Sequence, residues 1–207
     1  MHVSTPFTLL LLPLLALAQD LSHIKVHVTP LSHTGNRCLG TDEAILSTGL
    51  ISNSTGPVLY HALPFFRPLF GSGIAASEQR AMCQVYLNMT FSEPNTRVYV
   101  NTYGMDMRGY LPLTEYQRAT FKVTYDWVDT FLQASNQLDF VGPREGRFSK
   151  HFGEEWSDRD VVSPCDGGIL RVNYQARGQN SKPEVVMDPP VEDEEWSFAT
   201  SMLLSKC

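Results

Sequence analysis

Positive charge is in short supply in this 207-residue chain. It carries 16 Lys and Arg against 22 Asp and Glu, a formal charge of −6, and no basic stripe of the kind that displaces counterions from nucleic acid. Nucleic acid is therefore excluded as a partner. Long helical periodicity is also missing, and no Gly-rich turn joins a strand to a helix, so phosphate cradling has no support. No Gly-x-Ser-x-Gly elbow is present to carry a nucleophilic serine. Cysteine is limited to Cys38, Cys83, Cys165 and Cys207, none close to another, which excludes a local Cys-x-x-Cys redox or zinc pattern. The clearest apolar run, residues 7–15, is shorter than the ~20 residues needed to cross a bilayer of about 30 Å. No membrane span is expected.

That run nevertheless has a meaning at the start of the chain. Residues 1–5 form a short polar opening without Lys or Arg, and Ala16-Leu17-Ala18 supplies the small residues that signal peptidase accepts. Residues 1–18 read as a cleaved secretory signal and Gln19 as the new N-terminus, leaving residues 19–207 as one domain of ordinary size. In an oxidising compartment four cysteines make two disulfides the expectation. Three connectivities are open. If Cys165 opens a strand and Cys207 closes the next one in a hairpin, their ends meet, which favours Cys165 with Cys207 and Cys38 with Cys83.

What the chain does have is period-two alternation. Ile24, Val26 and Val28 share a face opposite His23, Lys25 and His27, a strand expected to end at Pro30. Cys83, Val85, Leu87, Met89 and Phe91 alternate with Gln84, Tyr86, Asn88 and Thr90. Val98, Val100 and Thr102 follow beyond the turn-like Glu93-Pro94-Asn95, which suggests a hairpin. Residues 120–127, 169–177 and 196–204 have the β-branched and aromatic content of further strands. The expected fold is an all-β antiparallel sandwich, jelly-roll or immunoglobulin-like, stapled by two disulfides. Residues 59–70, with Tyr60, Phe65, Phe66 and Phe70 around Pro64 and Pro68, read as a buried edge strand and its turn rather than an exposed docking patch.

Charge is uneven along the chain. Glu184, Asp188, Glu192, Asp193, Glu194 and Glu195 fall in a Pro-interrupted stretch without Lys or Arg, while the rest of the chain is neutral. A solvated loop is expected there, since the EF-hand spacing of carboxylates is absent. His23, His27 and His33 raise the question of a metal. On a strand His23 and His27 lie about 13 Å apart, too far to share an ion, and a histidine brace needs His where Gln19 stands. No metal and no cofactor are expected. Glu115, Glu145, Glu154 and Glu155 are the carboxylates available to a glycosidase. None stands in a motif, and no catalytic residue is assigned; Glu145 and Glu154 lie in a long connection from residue 133 to 163, a length at which functional loops occur. Ser163-Pro164-Cys165 and Gly71-Ser72-Gly73 place serines in turns, which is turn chemistry. Asn53-Ser54-Thr55 and Asn88-Met89-Thr90 fit the N-glycosylation sequon, with Asn53 in the more turn-like setting.

Several segments in order resemble a largely fungal family of small secreted proteins, the domain of unknown function 4360. They are Gly35-Asn36-Arg37-Cys38, Phe70-Gly71-Ser72-Gly73 leading to Arg80-Ala81-Met82-Cys83-Gln84, Met107-Arg108-Gly109-Tyr110, Ser163-Pro164-Cys165 before Ile169-Leu170-Arg171-Val172-Asn173, and the final Lys206-Cys207. The resemblance implies a secreted, disulfide-bonded, β-rich domain and brings no catalytic residues. Leu39-Gly40-Thr41 departs from the Pro/Gly-type continuation usual after the first cysteine. The stretch between Trp127 and Val162 and the acidic segment look individual to this chain, and a specific partner is expected on such loops rather than on an Arg108-Gly109-Tyr110 turn, where Gly109 is expected to serve backbone conformation. Three functional readings follow: a non-enzymatic cell-surface, cell-wall or host-interaction protein binding an extracellular glycan or protein; a polysaccharide hydrolase using two carboxylates, one near residues 145–155; and a structural wall protein.

Overall fold

The computed structural model describes residues 21–38, 47–53, 56–63, 66, 69–70, 75, 77, 79–111, 113, 115, 117–153, 161–179, 185–186 and 196–207, with the backbone alone for 47–49, 52–53, 69–70 and 185–186. The signal segment, Gln19, Leu39-Gly40-Thr41, Gly71-Ser72-Gly73, Glu154, Glu155 and the acidic residues 184 and 188–195 lie outside the described residues. Two antiparallel sheets pack face to face. The first holds β1 (Val26–Thr34), β5 (Arg80–Phe91), β11 (Gly167–Gln179), β7 (Arg118–Trp127) and β8 (Gln133–Val141), in that order. The second runs β10 (Val161–Val162), β6 (Thr96–Tyr110), β13 (Trp196–Lys206), β3 (Gly56–Leu63) and β2 (Ser47–Asn53), with β9 (Arg147–Phe152) also paired to β6. A small ladder joins β4 (Leu69–Phe70) to β12 (Val185–Val186). The expected antiparallel sandwich is the observed fold.

Alternation explains the core. Cys83, Val85, Leu87 and Met89 of β5, Leu170, Val172 and Tyr174 of β11, and Phe121, Val123, Tyr125 and Trp127 of β7 point inward. They meet Leu59 and Leu63 of β3, Met105 and Met107 of β6, and Trp196, Phe198 and Met202 of β13. At the centre Trp196 stacks on Phe121 with ring centroids 4.9 Å apart and meets Phe148 edge-on at 5.6 Å. In β6 the inward phase changes from Val98 and Val100 to Met105 and Met107. A bulge around Asn101 and Gly104, with φ of 70° and 75°, inserts the odd number of residues that such a change needs. Thr102, expected on the face of Val98 and Val100, falls inside it. The Ser201 hydroxyl holds the bulge by accepting from Tyr103 N at 2.7 Å and donating to Gly104 O at 2.8 Å.

Pro30 does not end the first strand, because β1 lies at a sheet edge; a register shift around exposed Leu31 lets the ladder continue to Thr34. Residues 83–91 and 98–102 form no hairpin, since β5 and β6 belong to different sheets and residues 92–95 cross between them. The stretch 59–63 is an inner strand rather than an edge, because β2 covers it. The connection from 133 to 163 contains β8, β9 and β10. Arg108-Gly109-Tyr110 is the end of β6 rather than a turn, and Gly109 is required for packing: a Cβ there would lie 2.7 Å from the Trp196 ring.

The disulfides join Cys38 to Cys83 and Cys165 to Cys207. The first ties the end of β1 to its neighbour β5. The second has a different origin from the hairpin argument, since β11 and β13 lie in opposite sheets and the bond bridges them. Asp166 reinforces this corner by accepting from Asn95 N at 2.6 Å, as does Ser163, whose hydroxyl accepts from Val98 N at 3.0 Å. The double replacement Cys165→Ser/Cys207→Ser is expected to lower stability by about 2–4 kcal/mol. Chemical denaturation without reductant checks this, and an unchanged midpoint contradicts it.

Candidate functional site

The outer face of the second sheet carries a shallow depression of about 150 Å³ lined by Ile51, Tyr60, Asp106, Arg108, Ser197 and Ala199. Its shape follows from register. Tyr60 of β3, Ala199 of β13, Asp106 of β6 and His151 of β9 form one cross-strand row; Ala62, Ser197, Arg108 and Ser149 form the next. Small residues on β13 make the floor, and larger side chains on β3 and β6 make the walls. Two inter-strand steps separate those walls, about 9.5 Å.

The wall on β6 is differentiated by charge. His151 Nδ1 lies 2.9 Å from Asp106 Oδ1, on the β9 side away from the floor, with both side chains about half exposed. Arg108 is exposed and has no ion pair or hydrogen bond among the described residues. Arg171, on the outer face of the other sheet, is the contrast. Its guanidinium is clamped by Asp126 at 2.7 Å and by Tyr86, bonds that raise its pKa above the usual arginine range.

Directly beneath the floor, the same strands place polar groups in the core. His61 is fully buried, with Nδ1 hydrogen-bonded to the Tyr174 hydroxyl and Nε2 without a partner among the described residues. Burial depresses its pKa to about 3. Tyr125 exchanges a 2.8 Å hydrogen bond with Thr200 and donates to Met105 Sδ at 3.1 Å. Burial pushes both tyrosines above their ordinary range, and proximity to Tyr125 adds to the rise at Tyr174.

The residues singled out from sequence are dispersed. Glu115 is exposed in a turn, and exposed Glu145 accepts a 3.4 Å hydrogen bond from Tyr110. Neither lines the depression, where Asp106 is the one carboxylate among the described residues. His23 pairs with Glu93 at 2.8 Å, and the Lys206 bond to Glu93 at 2.7 Å is the main cause of a lowered carboxyl pKa. His27 and His33 are exposed on β1. Among the described residues no three His, Cys, Asp or Glu side chains are grouped to hold a metal. Asn88 is half-exposed on the outer face of β5, and Asn53 closes β2 opposite Gly56. Sequence reasoning missed Asp106, Ser197 and His151 and left Arg108 out of any site. Their common signal is an outward position on adjacent strands, which emerges only with the sheet order.

These features define a disulfide-tied antiparallel sandwich with an open depression on one outer face. The chain belongs to the family of the domain of unknown function (DUF4360), whose family model matches residues 25–207. Comparison with curated proteins gives no match.

Proposed function

We propose that this is a secreted, non-enzymatic protein of the cell surface, cell wall or host interface that binds an extracellular glycan in the depression on its second sheet. One observation carries the reading: Tyr60 faces Asp106 across a floor of Ser197 and Ala199. A half-buried aromatic can cover the apolar face of a sugar ring while carboxylate and hydroxyl groups bind its hydroxyls. The gap of one strand between the walls suits a single sugar unit. Two disulfides accord with an oxidising compartment. In this reading residues 1–18 are the cleaved signal, and Asn53 and Asn88 carry glycans. A glycan at Asn88 would stand on the opposite sheet and leave the depression open.

Hydrolysis has less support because the depression offers a single carboxylate among the described residues, whereas the usual glycosidase arrangement needs two. The reading is tested on the oxidised protein with an array of wall and surface oligosaccharides. A bound glycan and at least tenfold weaker binding by Tyr60→Ala are expected. Release of reducing ends from the bound polysaccharide would overturn the non-enzymatic assignment, and binding unaffected by Tyr60→Ala would remove it from this face.

A further inference from the structure

We infer that the glycan is acidic and that Arg108 receives the carboxylate of a uronic acid unit; this rests on the glycan reading above. Arg108 is an exposed guanidinium with no partner among the described residues, in a domain where Arg171 is clamped by Asp126 and Tyr86. A guanidinium presents a planar fork of donors that matches a carboxylate with two parallel hydrogen bonds. Arg108 stands beside Ser197, on the same wall as Asp106 and one row along from it. A ring lying over Ala199 against Tyr60 can therefore direct its carboxylate to Arg108 and its hydroxyls to Ser197.

Asp106, one row away, does not occupy the Arg108 guanidinium. Its carboxylate is engaged from the β9 side by His151 and makes no ion pair with Arg108. The site thus has separate parts: an aromatic wall for the ring, a polar floor for hydroxyls, and, among the described residues, an unpaired guanidinium for the acid group. Because Arg108 is exposed, attraction for the anion is screened by salt.

The test compares trigalacturonate, its methyl ester and neutral chitin and β-glucan oligosaccharides by titration calorimetry on the full oxidised chain, with Tyr60→Ala, Arg108→Gln and Arg108→Lys. Trigalacturonate is expected to bind at least tenfold more tightly than its ester, with the gap closing in Arg108→Gln, partly kept in Arg108→Lys, and narrowing as salt rises. Arg108→Gln is expected to melt with the wild type, since the side chain supports no partner. Equal binding of acid and ester, or a gap that survives Arg108→Gln, overturns the acidic assignment; if Tyr60→Ala still abolishes binding, the glycan reading stands. Wild-type protein that binds none of these or other oligosaccharides overturns both.

Discussion

Trp196→Ala is expected to cost about 3–5 kcal/mol of folding stability, the range for truncating a large buried aromatic. Trp196 is 2% exposed and fills the space between the sheets, stacked on Phe121 and edge-on to Phe148 and Phe66. Removal leaves a cavity that three rings from separate elements cannot close together. The reciprocal change, Gly109→Val, is expected to be comparably harmful, because the new side chain would enter the space of the indole. Urea denaturation of the oxidised protein measures both. A loss below about 1 kcal/mol for Trp196→Ala would contradict the central place given to this residue.

The second large effect is a dependence of stability on pH. His61 titrates near 6.5 when unfolded and near 3 when folded, because burial disfavours the imidazolium. Between those values the unfolded chain binds the additional proton, so stability falls as pH falls. The slope is about 1.4 kcal/mol per pH unit, and the total approaches about 4–5 kcal/mol at the acid limit. Above pH 6.5 the term is constant. His61→Gln keeps a polar group near Tyr174 and removes the titration, so its stability is expected to vary less over this window. Denaturation midpoints at pH 7, 5 and 4 distinguish the two proteins; parallel acid losses would show that other groups dominate.

The legible parts of the fold were strands whose two faces differ strongly. In β5 inward Cys83, Val85, Leu87 and Met89 alternate with Gln84, Tyr86 and Asn88, so register is written into composition. In β8 the inward series is Ala134, Asn136, Leu138 and Phe140. Buried Asn136 breaks the apolar pattern, and its reciprocal amide bonds with Asn101 become possible only after β6 and β8 meet. Short β9 offers just Phe148 and Phe152 as inward markers. Pairing between the ends of the chain was likewise hidden: β3 and β6 flank β13, an arrangement no local turn specifies. The candidate site inherits that difficulty. Tyr60, Arg108 and Ser197 become neighbours through sheet order, whereas the visible signals, histidines on β1 and carboxylates near 145–155, reflected residue type alone.

The break in β1 at Pro30 bears on self-association. An edge strand offers unpaired backbone groups on which another chain can build a ladder. Here the proline has no N–H to offer, and the shift around Leu31 divides the strand into two short stretches, out of step with one another. A second molecule aligned with one stretch is misaligned with the other, which disfavours extended strand-to-strand pairing along this border. The feature that upsets the simple reading of where β1 ends is thus also of the kind by which edge strands discourage pairing with other chains.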